Sequence, residues 1–114
     1  MGSRIINFYP HFTLILQKTY KEQGFFNVKR EDDHFFGEHN TVLEIYTGEN
    51  EIPIRGKINR EAQDNGTYRI MGGIELKNWF RSLNYFEKIQ ISIISNHSIK
   101  MEVKQFEEVK CNTA

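Results

Sequence analysis

Carboxylates and histidines are the side chains here that could carry out chemistry, and the densest group lies at residues 31–34. This segment reads Glu-Asp-Asp-His and combines the ligand types that divalent metal ions bind. Adjacent side chains seldom converge on one ion, and no second cluster has a matching spacing. Acidic residues are also favourable in the first turn of a helix. The pattern therefore favours a solvated helix start over a metal site.

A metal nuclease centre would need separated carboxylates and a lysine around a metal ion. Glu44, Glu51 and Lys57 could supply such a set. Glu44 and Glu51 flank a predicted hairpin turn, and the spacing is commonplace, so the pattern favours a surface pair across two strands over a catalytic set. The remaining histidines considered lie beside polar turn residues, without a serine, cysteine or acid at triad spacing: His11, His39 and His97. We therefore expect a domain without catalytic chemistry, metal or cofactor.

Length, charge and cysteine content restrict the remaining functions. A chain of 114 residues predicts one domain, with a core over residues 5–106 and a polar tail over 107–114. Fifteen basic and fifteen acidic residues cancel, which excludes a nucleic-acid binder driven by overall charge. The single cysteine, Cys111, allows no internal disulfide and predicts an intracellular, cytoplasmic protein. The sequence predicts neither a membrane span nor a signal peptide.

The first three residues, Met-Gly-Ser, resemble a remnant of cloning. We therefore expect the chain to be a domain excised from a longer protein.

Hydrogen-bonding side chains concentrate in two connections, which we call the first and second arms. Lysine and arginine neutralise phosphates, arginine forks onto guanine, and asparagine or glutamine pairs with adenine. The candidate DNA contacts of the first arm are Lys18, Thr19, Tyr20, Lys21 and Gln23. Those of the second arm are Arg55, Lys57, Asn59, Arg60, Gln63, Asn65, Tyr68 and Arg69. Composition alone is also compatible with two solvated loops.

Alternating apolar residues predict about seven strands, which are too many for a flat sheet in so short a chain. We therefore predict a mainly β (α+β) open barrel of seven strands. One main helix over residues 74–85 should bury Trp79 beside Phe80 and Leu83, with short helices at 18–23 and 30–37. Pro53 cannot donate to a ladder, so its strand is expected at an edge or a bulge. Residues 59–65 should form a long polar hairpin tip.

The order of these elements resembles the B-three pseudobarrel DNA-binding domain over about residues 12–103. The matching words are Gly-Phe-Phe-Asn-Val at 24–28, after a lysine-bearing arm, and Gly-Gly-Ile at 72–74, before Trp79 and Phe80. The family includes plant transcription-factor domains and the recognition domains of EcoRII-type and BfiI-type restriction endonucleases, and these words look closer to the bacterial branch. The resemblance implies that two loops grip the major groove of double-stranded DNA, at residues 18–23 and 57–69.

The resulting hypothesis is a sequence-specific DNA-recognition domain of a larger restriction enzyme, with cleavage carried out by another domain or subunit. The alternative is a non-catalytic β-barrel module that binds a protein or a small ligand. The oligomeric state does not follow from the sequence.

Overall fold

The computed structural model describes residues 9–64 and 67–104, and within them seven strands form one mixed sheet that curls into a half-barrel. This confirms the predicted fold class. The strands are β1 (His11–Ile15), β2 (Phe25–Val28), β3 (Val42–Thr47), β4 (Ile54–Asp64), β5 (Thr67–Met71), β6 (Lys88–Ser95) and β7 (Ser98–Val103). The helices are α1 (Lys18–Gln23), a 3₁₀ helix (Arg30–Phe35) and α2 (Gly73–Arg81). No helix among these residues has the length and apolarity to span a bilayer. Cys111, Asn65 and the polar tail lie outside the described residues.

The strand order of the sheet is β1-β6-β7-β3-β4-β5-β2. All neighbouring strands pair antiparallel except β3 and β7, which run parallel. The two strands that flank the first arm, β1 and β2, are therefore the two edges of the sheet. Residues of both edges line one surface depression, which indicates that curling of the sheet turns these edges towards a common opening.

The core is built from the inward-facing residues of the strands. Phe26, Ile70 and Ile58 lie side by side on β2, β5 and β4, and none of them is exposed. Successive side chains of a strand point to opposite faces of a sheet. Asn27 directly follows Phe26 and Arg69 directly precedes Ile70, so both lie on the outer face.

Helices α1 and α2 approach each other closely at two glycines. Gly24 ends α1 in the left-handed conformation, with a φ of 76°, and its N–H donates to the Tyr20 carbonyl oxygen over 2.8 Å. A Cβ atom on Gly24 would lie 2.4 Å from the Gly73 carbonyl oxygen, closer than real Cβ contacts allow. The predicted end of α1 at Gly24 is confirmed, and the contact explains why no larger residue fits.

Helix α2 is shorter than the predicted span of 74–85. The Ser82 hydroxyl donates to the Trp79 carbonyl oxygen over 2.6 Å, and the Leu83 N–H donates to the Phe80 carbonyl oxygen over 3.0 Å. These bonds tighten the last turn and end the helix. Trp79 and Leu83 are only partly buried against the edge of the core, whereas Phe80 is fully buried. Trp79 was predicted to be buried in the core, and it is instead only partly buried against it.

Two predictions about β4 are wrong. β4 lies between β3 and β5 rather than at an edge, and Pro53 directly precedes it, so the missing N–H of Pro53 leaves no gap in the ladder. The stretch expected as a loop from Asn59 onwards is instead a continuation of β4 to Asp64, with a register shift against β5 between these two residues. The described part of the second arm thus consists of strand residues of β4 and β5 with an irregular register between them.

Gly24→Ala and Gly73→Ala test the close approach of the two helices. Both glycines have positive φ, which costs a residue with a Cβ atom about 1 to 2 kcal/mol, but a Cβ on Gly73 would meet nothing within 4 Å. We expect Gly73→Ala to cost only that amount and Gly24→Ala to cost about 3 kcal/mol or more, because α1 and α2 must separate. Urea denaturation measures both free energies of unfolding; equal losses would contradict the contact.

Candidate nucleic-acid interface

Two predicted contacts of the first arm hold α1 against the rest of the protein instead. Tyr20 is 9% exposed, and its ring packs edge-on against Phe25 with 5.6 Å between centroids. The Lys21 Nζ atom donates a hydrogen bond to the carbonyl oxygen of Leu83, beyond the end of α2. Tyr20 and Lys21 are thus held within the fold, and their role as DNA contacts stays a prediction. Lys18, Thr19 and Gln23 are exposed.

Arg60 is bound to the protein through all three nitrogens of its guanidinium group. Nε donates to the Gly37 carbonyl oxygen over 2.7 Å, Nη1 to the Asp33 carboxylate over 2.6 Å, and Nη2 to the Phe36 carbonyl oxygen over 3.0 Å. The guanidinium carbon lies 4.1 Å from the centroid of the Tyr68 ring. Most N–H donors of the guanidinium group are thus used within the protein, and the reading of a base by Arg60 stays a prediction.

Tyr68 is also held within the protein, and only 1% of it is exposed. Burial raises the pKa of its hydroxyl above the ordinary range. The hydrogen bond from Arg60 lowers the pKa of the Asp33 carboxyl, so this group stays ionised at neutral pH. His39 completes the cluster: its Nδ1 accepts from the Arg60 backbone N–H over 3.0 Å, which leaves the proton of a neutral ring on Nε2, 3.5 Å from the Glu61 carboxylate. These contacts fasten the segment after the 3₁₀ helix to β4 and β5.

Two adjoining depressions, of about 390 and 270 Å³, follow the opening between the sheet edges. We call them together the edge groove. They share Gln17, Tyr20 and Asn27, and none of the lining residues is an aspartate or a glutamate. The lining residues are Thr13, Leu14, Ile15, Gln17, Thr19, Tyr20, Phe25, Asn27, Lys29, Thr67 and Arg69. The edge groove therefore offers hydroxyls, amides and two cations without a carboxylate.

Arg69 lies at the centre of a polar row on the outer face of the sheet. It pairs in register with Asn27 on β2 and with Asn59 on β4. Its guanidinium carbon lies 4.4 Å from the centroid of the Phe25 ring, which holds the charged group over an aromatic face. The Asn27 amide makes no hydrogen bond to other residues within 9–64 and 67–104. The row thus combines a positioned cation with an amide that is available for hydrogen bonds to a ligand.

The structure brings together only part of the predicted site. Thr19, Tyr20 and Arg69 line the edge groove, although Tyr20 is only 9% exposed. Arg55 and Lys57 are exposed on the outer face of β4, where Glu44 stands opposite Arg55 in register. Asn59 accepts a hydrogen bond from the Glu61 backbone N–H over 3.1 Å. Gln63 lies in β4. The groove residues that sequence reasoning missed are Thr13, Gln17, Asn27, Lys29 and Thr67.

The carboxylates considered for metal chemistry lie apart from this groove. In the part of the chain that the structure describes, no three His, Cys, Asp or Glu side chains group closely enough to hold a metal ion. Asp33 is bound to Arg60, and Glu51 lies in the bend between β3 and β4.

No family model and no curated protein matches this chain. The interpretation of the edge groove therefore depends on its geometry and chemistry.

Arg60→Ala should lower the free energy of unfolding by about 2 to 4 kcal/mol, because it removes charge-assisted hydrogen bonds to two carbonyls and a carboxylate. Arg55→Ala is the matched control on the same strand and should change it by under about 0.5 kcal/mol, since Arg55 is exposed. Urea denaturation at pH 7 measures both.

The contribution of Asp33 to this difference should depend on pH. The folded protein holds the pKa of Asp33 below its unfolded value, so the stabilisation is complete above the unfolded value, near pH 4, and is lost as the pH falls through the lower folded value. The gap between the wild type and Arg60→Ala should therefore narrow below about pH 4. An unchanged gap at pH 2.5, or equal stabilities at pH 7, would contradict the assigned role of Arg60.

Proposed function

We propose that the edge groove binds double-stranded DNA and reads a short sequence in it, as the target-recognition domain of a larger restriction enzyme. The observation that carries this proposal is a groove lined from both edges of the sheet by hydrogen-bonding and cationic side chains, with no carboxylate, in a chain whose charges cancel. DNA carries a dense negative charge, so a binding surface in a neutral protein must exclude acids locally.

The groove residues divide by chemistry into two roles. Lys29 is a flexible ammonium just beyond β2, suited to a phosphate. Arg69 and Asn27 carry planar groups that match base edges: a guanidinium forks onto guanine O6 and N7, and a carboxamide pairs with adenine N6 and N7. Stacking on Phe25 restrains Arg69 before binding, which reduces the entropy lost on forming a bidentate contact.

The resemblance to the B-three pseudobarrel supports the same function, because the edge groove lies between the first arm and the base of the second. The structure narrows the contacts that this proposal uses. Within the edge groove the proposal uses Gln17, Asn27 and Lys29, and it leaves out Lys21, Arg60 and Tyr68 because they do not line this groove.

The competing function is a β-barrel module that binds a protein, and one observation favours it. Ile52 is 83% exposed and Ile74 is 64% exposed, so both apolar side chains are accessible to a protein partner. A fall of duplex affinity with rising salt separates the two functions, since binding through Ile52 or Ile74 would depend little on salt.

Arg69→Ala and Lys29→Ala should impair DNA binding in different ways. On a duplex selected from a randomised pool, Arg69→Ala should cost about 1 to 3 kcal/mol, with little change on a scrambled duplex, because a base contact is lost. Lys29→Ala should weaken binding to both duplexes alike and reduce the slope of log K against log salt by about one unit.

Fluorescence anisotropy at several salt concentrations measures these affinities, and Arg55→Ala serves as the matched control outside the groove. Thermal melts should show that all three variants remain folded. If Arg69→Ala and Lys29→Ala bind as tightly as Arg55→Ala, the edge groove is not the DNA-binding surface.

We further propose that this domain has no nuclease activity of its own. Incubated with supercoiled plasmid and magnesium, the purified protein should leave the plasmid intact, because a metal nuclease must cluster carboxylates around its ion. Agarose-gel electrophoresis is the readout. Magnesium-dependent nicking that disappears in both Glu44→Ala and Glu51→Ala would show that the domain cleaves DNA itself.

A further inference from the structure

A second concentration of positive charge lies between α1 and α2, in a cleft of about 430 Å³. We call it the interhelical cleft. It is lined by Lys21, Glu22, Lys77, Arg81 and Tyr85, and it shares no residue with the edge groove. Three of its five lining side chains are cations, although the chain as a whole is neutral.

The cations of the cleft are not neutralised by the protein. Lys77 and Arg81 are four residues apart on α2 and therefore lie on one face of the helix, where like charges repel. Within residues 9–64 and 67–104 neither side chain makes an ion pair or a hydrogen bond. The one acid of the lining, Glu22, lies 3.9 Å from the Nζ atom of Lys18, so part of its charge is offset outside the cleft.

The third cation is held in place by α2 and the turn that follows it. The Nζ atom of Lys21 donates to the Leu83 carbonyl oxygen and lies 4.5 Å from the centroid of the Tyr85 ring. An ammonium has three N–H donors, so Lys21 keeps donors beyond the one bound to Leu83. Its position is fixed before any ligand arrives, which lowers the entropy cost of binding.

We infer that the interhelical cleft binds a phosphate group. The positive charges of the cleft repel one another, and an anion bound between them would offset this repulsion. Arginine grips phosphate oxygens with its planar fork, and lysine supplies a point charge, so Arg81 with Lys77 and Lys21 is a suitable donor set. A nucleotide, inorganic phosphate or a DNA backbone could supply the group. The inference does not depend on the function proposed for the edge groove.

Titration with inorganic phosphate and with adenosine monophosphate, followed by two-dimensional amide NMR at low ionic strength, tests this site. We expect both to shift resonances of α1 and α2, and adenosine, which lacks the phosphate, to shift neither. Lys77→Ala and Arg81→Ala should each weaken binding by about tenfold. Lys57→Ala, which removes an exposed lysine of β4, should leave it unchanged.

A pair of charge-matched variants separates a local site from general electrostatics. Glu22→Gln removes the acid of the cleft and should tighten binding by about threefold. Glu44→Gln changes the net charge equally but lies exposed on β3, and it should have no effect. If both variants tighten binding equally, attraction is only general and the inference is wrong.

A short duplex provides the second arm of the experiment. If DNA supplies the phosphate, Arg81→Ala should weaken duplex binding and reduce the salt slope by about one unit even when free phosphate shifts no resonance. Loss of duplex binding in Arg69→Ala, with Arg81→Ala unaffected, assigns DNA to the edge groove alone. The inference is overturned if neither phosphate, adenosine monophosphate nor duplex affinity depends on Lys77 or Arg81.

Discussion

The buried row formed by Phe26, Ile70 and Ile58 is the constraint on which the proposed site depends. A slip of one residue in any of the three strands would turn its side chain from the core into water, at a cost of about 1.5 to 3 kcal/mol for each large apolar side chain. The register that buries this row also places Asn27 beside Arg69 on the outer face. The candidate DNA-reading row is therefore a consequence of core packing.

A buried or half-buried charge needs hydrogen-bond partners, and residues 33–37, at the end of the 3₁₀ helix and just beyond it, supply them to Arg60. Inward-facing positions of β4 are apolar or glycine from Ile54 to Ile58, and the next inward position is Arg60. The carbonyl oxygens of Phe36 and Gly37 accept from its guanidinium, while Asp33 provides the opposite charge. The Arg60 side chain thus joins residues 33–37 to the sheet at the base of the second arm.

The sequence predicted the number of strands, but it predicted neither the full length of β4 nor the contacts of individual polar residues. Alternation predicted the seven strands, and the same alternation identifies Arg60, two residues after Ile58, and Tyr68, two residues before Ile70, as inward-facing. The polar stretch from Asn59 onwards was interpreted as a loop, so this alternation was not applied there. The position of Lys21 could not be predicted locally, because its acceptor, Leu83, is 62 residues away in the chain. Asn27 was missed although it is the one polar residue of β2.

A neutral chain with local positive surfaces binds DNA differently from a basic one. Charges separated by more than about 10 Å are largely screened at 0.1 M salt, so the edge groove is affected mainly by its own lining, and overall charge does not steer DNA towards it. Lys29 is the groove cation assigned to a phosphate, and one phosphate contact corresponds to a salt slope of about −1. Such a slope provides little sequence-blind affinity. Tight binding would then require hydrogen bonds to base edges, and a domain built in this way would discriminate strongly between its site and random DNA.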